Sequence, residues 1–152
     1  MTPALPDSPT RFHLQRIDTR LGPVALVTMD NGEDWQKPNV FGRAAIESLN
    51  DLLPRLREGD FKGLVLTGKP FVFAVGADLT GVPSVTRREQ AEGIAKAGHA
   101  AYGSIMDLPV PTFAFVNGAV MGGGLEIALA CDYRTISAGV PAVALPEVFL
   151  GL

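Results

Sequence analysis

The stretch Val116-Asn117-Gly118-Ala119-Val120-Met121-Gly122-Gly123-Gly124-Leu125-Glu126 decides the fold class. An apolar strand pattern over residues 110–116 runs into a glycine-rich turn over 117–124, and a short apolar helical pattern over 125–131 follows. Strand, tight turn and helix in that order is the unit of an α/β protein with largely parallel pairing, because a parallel strand is reached only through a crossover. The three consecutive glycines leave the backbone N–H groups at the helix start open to close approach. Such groups lack an intrahelical partner and carry partial positive charge, which suits an anion or a developing oxyanion. No Gly-Lys-Ser/Thr ending follows, and Ile127 stands where the dinucleotide fingerprint needs glycine, so neither nucleotide reading holds. The alternative is a turn whose glycines merely let helix and strand approach.

A second stretch, Phe73-Ala74-Val75-Gly76-Ala77-Asp78-Leu79, is again an apolar strand that breaks into a small-residue turn. It can aim one more N–H, that of Ala77, into the same cleft. Two donors from two chain segments are what an oxyanion hole for a thioester carbonyl requires, and losing one typically costs about a hundredfold or more in rate.

Working outward, residues 12–17 alternate as an edge strand and 23–29 read as a buried strand. Residues 30–39 form a loop that holds the only tryptophan, Trp35. Helical spacing over 41–56 predicts a helix that Pro54 kinks or ends. Residues 63–67 read as a strand, and 86–106 as a helix with Thr86 and Glu89 in capping-box spacing. Strands over 133–137 and 142–145 follow. Residues 1–10 read as a flexible leader and 11–152 as one domain, with no repeat of fixed period.

Composition narrows the partners. With 47% apolar and 19% charged residues the chain has the profile of an ordinary soluble globular protein. A net charge of -3, with Arg87-Arg88 the longest basic run, argues against nucleic acid. The apolar stretches at 109–116 and 140–145 are too short to span a bilayer, and the start does not read as a secretory signal, so no membrane partner is expected. Cys131 is the only cysteine, which excludes an internal disulfide, gives no metal-ligand pattern and suits the reducing cytoplasm. Cys131 reads as a small buried apolar residue, Asp78 as the cap of its own turn, and His13 and His99 as surface or packing residues.

Four motifs in order carry a family resemblance. They are Phe-x-x-Gly-Ala-Asp-Leu from Phe73, Asn-Gly-x-x-x-Gly-Gly-Gly-x-Glu from Asn117, Cys131-Asp132, and Leu-Pro-Glu-x-x-Leu-Gly from Leu145. The chain thereby resembles the amino-terminal portion of the crotonase (enoyl-CoA hydratase/isomerase) superfamily, from about Phe12 onward. The loop over 30–39 is similar to that of the hydratase domain of multifunctional β-oxidation proteins. The resemblance implies an α/β fold of the crotonase-like ββα spiral type, carboxy-terminally truncated. It implies that the amides of Ala77 and Gly123 polarise the thioester carbonyl of an acyl-CoA. Ala74, Gly76, Asp78, Leu79 and Gly122 would line the substrate and CoA site. The thioester is the substrate, so neither a cofactor nor a metal is implied.

Glu126 and Glu147 match the two positions that hydratases of the superfamily fill with glutamate. The implied reaction is syn addition of water to a trans-2-enoyl-CoA in fatty acid β-oxidation, with Glu126 mainly as general base and Glu147 as the acid toward the α-carbon. Without the resemblance each glutamate has a plain structural reading, Glu126 as a first-turn helix residue and Glu147 as a solvated charge. The alternatives are a Δ3-Δ2 enoyl-CoA isomerase, which needs one glutamate base, and an inactive or acyl-CoA-binding remnant. The chain closes on an uncovered Val148-Phe149-Leu150 run, which leads us to expect a piece of something longer. In the superfamily the following residues close the acyl pocket and build homo-oligomers. For this chain we therefore expect low or absent activity and no assured oligomer, since a poorly walled site lets water screen the carbonyl.

Overall fold

In the computed structural model, which describes residues 10–150, the first two strands pair antiparallel as a hairpin, β1 (Arg11–Thr19) with β2 (Gly22–Asp30). Alternation decides the faces, with Phe12 buried and Leu14 half-buried on the inner side and His13, Gln15 and Ile17 exposed on the outer. In β2 the residues Ala25, Val27 and Met29 are buried while those between are half-covered, so the strand is buried on one face and not, as its apolar run suggests, on both.

Helix α1 (Arg43–Glu58) crosses to β3 (Leu64–Gly68), which pairs parallel with β2. This helix continues through Pro54 to Glu58, so of the two expected outcomes it does not end there. Proline inside a helix costs about 3 kcal/mol. Leu52, Leu53 and Leu56 are all nearly fully buried on both sides of it. Burial contributes about 1.5–3 kcal/mol for each leucine, so the apolar face outweighs the proline.

The chain then repeats one pattern. A short strand, β4 (Val72–Ala74), a 3-10 helix (Leu79–Ser84) and α2 (Arg88–Met106) lead to β5 (Thr112–Val116). Strand β6 (Ala119–Met121) and α3 (Gly123–Leu129) lead to β7 (Tyr133–Ile136), and β8 (Val143–Ala144) leads to α4 (Glu147–Leu150). The longer strands form a sheet in the order β1-β2-β3-β5-β7, parallel from β2 onward, and the short ones form a parallel sheet in the order β4-β6-β8. Each winding thus places one strand in each sheet and then a helix, which is a ββα spiral. No period shows in the sequence because the first winding carries the 3-10 helix and the 19-residue α2, whereas the second carries a helix of 7 residues.

Two boundaries differ from expectation. The glycine-rich turn over 117–124 contains β6, whose central Val120 is fully buried between β4 and β8. Helix α2 begins at Arg88, so its third position is Gln90. The Gln90 carboxamide oxygen accepts hydrogen bonds from the amides of Thr86 and Arg87 at 3.1 Å each, and Glu89 is not used.

Asn39 ties the two sheets together, and Asn117 ties the end of β3 to the chain leaving β5. Asn39 is fully buried and donates to the carbonyls of Met29 in β2 (2.9 Å) and Phe73 in β4 (3.1 Å). Asn117 donates to the carbonyls of Gly68 (3.0 Å) and Lys69 (2.8 Å) and accepts from the Gly68 amide at 3.2 Å. The core fills with Leu64, Leu66, Ala114 and Val116 of the large sheet, Phe73 of β4, and Leu49, Ile105 and Ile127 from the three longer helices. At the other end Val148 and Phe149 stand 74% and 89% exposed, the uncovered run that the sequence announces. Residues 1–9 of the expected leader, and Gly151 and Leu152, lie outside the described residues.

Candidate active site where the two glycine turns meet

Helix α3 starts hard against the end of β4. A side chain at Gly124 would run into the backbone carbonyl of Ala74, so only glycine lets the two elements approach this closely. Gly122 adopts φ +51° and Gly76 φ +95°, both in the left-handed region that a side chain disfavours. The turns abut, since a Cβ on Gly76 would stand 3.5 Å from the Gly123 nitrogen and 3.7 Å from the Gly122 Cα.

The second turn runs alongside residues 39–41. Phe41 donates its amide to the Gly76 carbonyl (2.8 Å) and accepts from the Asp78 amide (3.1 Å), which makes a parallel bridge to Ala77. In such a bridge the central residue turns its own N–H away from the partner. The Ala77 amide therefore faces away from Phe41. Among the described residues neither it nor the Gly123 amide has a backbone acceptor. Ala77 is exposed, and Leu79 is 49% exposed at the head of the 3-10 helix. The Asp78 carboxylate accepts from the amide (3.0 Å) and hydroxyl (2.6 Å) of Thr80, so it caps its own turn. Ala74, Gly76 and Gly122 are buried and form the floor behind these groups.

Both glutamates come to this junction from different windings. Glu147, half-buried in the first turn of α4, sets Oε1 2.5 Å from where a Cβ on Gly122 would be. Glu126, in the first turn of α3, sets Oε2 3.6 Å from the corresponding point on Gly123. Adjacent glycines thus carry the two carboxylates. From Glu126 an open groove of about 340 Å³ runs between α2 and α3, lined by His99, Tyr102, Gly103, Met106, Leu129 and Ala130.

Tyr102, which sequence reasoning passed over, helps to build this junction. Tyr102 packs its ring 6.2 Å from Phe41, which in turn stacks on Phe12 at 6.0 Å. Its hydroxyl oxygen lies 2.8 Å from the Cβ point of Gly123. Burial first, and the Glu126 carboxylate second, hold its phenol far above the usual tyrosine range, so it remains a protonated donor. The signal was there: His99, Tyr102, Gly103 and Met106 recur at helical spacing on one face of α2. Asp132 accepts from the Thr112 amide (2.8 Å) and hydroxyl (2.9 Å), which anchors the end of α3 to the start of β5. These bonds, the amide first, hold its carboxyl below the usual aspartate range. Cys131 is buried, and burial pushes its thiol up to about 11, as befits an unreactive apolar filler.

A ββα spiral whose glycine turns abut beneath two carboxylates defines the crotonase fold. The sequence profile of the enoyl-CoA hydratase/isomerase family matches residues 20–152, and the chain belongs to that family. Relatives include the fatty acid oxidation complex subunit alpha of Aliivibrio fischeri, 38% identical over 133 residues, which are 85% of this chain and 19% of that protein. The subunit of the same name from Idiomarina loihiensis is 39% identical over 133 residues, 85% of this chain and 18% of its own length. Among solved structures, DspI of Pseudomonas aeruginosa superposes with a TM-score of 0.80 at 28% identity, covering 100% of this chain and 59% of that one. An enoyl-CoA hydratase from Bacillus anthracis gives 0.78 at 25% identity, covering 93% and 53%. The chain thus spans under a fifth of these curated relatives and just over half of these solved chains. Among the described residues no helix is long and apolar enough to cross a membrane.

Proposed function

We propose that this site adds water across the double bond of a trans-2-enoyl-CoA, the hydration step of fatty acid β-oxidation. The observation that carries the reading is the placement of two carboxylates, Glu126 and Glu147, on adjacent glycines where two turns leave amides without backbone acceptors. The thioester oxygen sits between the Ala77 and Gly123 amides, which stabilise the negative charge that grows on it. Glu126 takes a proton from water as the hydroxyl bonds to the β-carbon. The π electrons move toward the thioester, and Glu147 delivers a proton to the α-carbon, giving a 3-hydroxyacyl-CoA. The coenzyme lies along the turn that exposes Asp78 and Leu79, over a floor of Ala74, Gly76 and Gly122. The acyl tail enters the groove between α2 and α3. We place the reaction in the cytoplasm, where the single thiol suits a reducing medium.

An isomerase needs one glutamate that moves a proton between two carbons, and the second carboxylate favours hydration over that reaction. The discriminating experiment offers crotonyl-CoA and a 3-enoyl-CoA to the same protein. Loss of the enoyl-thioester absorbance with crotonyl-CoA supports the hydratase reading. Its appearance from the 3-enoyl-CoA, with crotonyl-CoA untouched, overturns it.

A further inference from the structure

The Tyr102 hydroxyl is a donor with no assigned task at the centre of the site. Among the described residues it makes no hydrogen bond that the geometry of α2 or α3 supplies, although its ring is fixed between Phe41 and the start of α3. Its oxygen and Glu126 Oε2 both lie within 4 Å of one point, the missing Cβ of Gly123. The two are close enough for charge on Glu126 to act on the phenol, yet they are not hydrogen-bonded to each other. Two polar groups that converge without touching, at the head of an open groove, leave room for a small polar bridge.

We propose that the Tyr102 hydroxyl shares the attacking water with Glu126, fixing its approach to the β-carbon. This rests on the hydratase reading and adds a third group to the two glutamates. Glycine at 123 then has a reason of its own, because a Cβ there would stand 2.8 Å from the phenol oxygen. The ring packs against Phe41, which is itself bonded to both sides of the Ala77 turn. The chemistry stays balanced: the water gives its proton to Glu126 and its hydroxyl to substrate, while Tyr102 keeps its own proton and orients the water oxygen.

The test compares Tyr102→Phe with the unaltered chain on crotonyl-CoA, alone and in a Glu126→Gln background. Phenylalanine keeps the ring contact with Phe41 and removes only the hydroxyl. The expected result is a fall in kcat of about tenfold at unchanged KM, with no further fall in the Glu126→Gln background. An unchanged kcat, or an equal loss in both backgrounds, overturns the proposal. A crystal structure of the unaltered chain gives an answer that does not need turnover. An ordered water within hydrogen-bonding distance of both Tyr102 Oη and Glu126 supports the shared site, and a dry junction there overturns it. Absence of hydration in a chain that shows this water counts against the hydratase reading and leaves the water pair standing.

Discussion

The turn at 122–124 is held by β8, by its own helix and by close contact with β4, whereas the turn at 76–78 is held by a ladder to Phe41, by its own Asp78 cap and by contact with the first turn. Gly122 donates its amide to the Ala144 carbonyl in β8 (3.0 Å), its carbonyl accepts from Leu125 (2.8 Å) and Glu126 (3.0 Å), and Gly124 lies against Ala74. The 76–78 turn has its ladder to Phe41, the Asp78 carboxylate bonded to Thr80 and Gly76 close against Met121 to Gly123, and beyond it the chain runs out through half-exposed Leu79. Of the two proposed oxyanion donors, the Gly123 amide therefore lies in a turn built into the spiral, and the Ala77 amide in a turn that leads out to half-exposed Leu79. Preorganised donors contribute because they need no rearrangement as charge develops.

Substitutions at the glycines break this comparison most sharply. Gly124→Ala drives a methyl group into the Ala74 carbonyl, and we expect a cost of about 3 kcal/mol or more, seen as a fall of roughly 6–12 °C in melting temperature. Gly76→Ala meets nothing closer than the Met121 carbonyl at 3.4 Å, so its cost is chiefly the positive φ, about 1–2 kcal/mol. Equal losses for the two variants would show that the turns are equally fixed.

The smallest effect concerns the far end of α3. Asp132 has a folded pKa below its ordinary value, so it stabilises the fold above about pH 4 and loses that contribution as pH falls through the lowered value. Urea midpoints of Asp132→Ala should lie below those of the unaltered chain at pH 7 and converge on them as the pH falls through the lowered pKa of Asp132. A gap that persists in acid would mean that packing, and not the charged hydrogen bonds, carries the residue.

The two turns of the candidate site were legible because glycine and aspartate act locally, whereas the two glutamates stood out only through the family resemblance. The triple glycine forecast a strand-to-helix turn, and Asp78 forecast its own cap. What could not be read was set by partners distant in sequence. Strand β6 is only 3 residues long and exists because β4 and β8 flank it. Pro54 is tolerated because Leu52, Leu53 and Leu56 are covered by the core that the rest of the chain builds. Tyr102 becomes significant only when α2 crosses the start of α3. Asn39 looks like a loop residue until its amide is seen to join two sheets, and Asn117 until its amide is seen to join the ends of β3 and β5.

The central claim is that Glu126 and Glu147 act together on one water. Its most direct test is the hydration rate of crotonyl-CoA for the unaltered chain, Glu126→Gln and Glu147→Gln, each shown to be folded by circular dichroism. With Glu126 exposed and the groove open, we expect slow turnover that falls by a further hundredfold or more, roughly, in each variant. Turnover that survives either substitution within about twofold would contradict the account, because a water held by a pair cannot be indifferent to the loss of one partner.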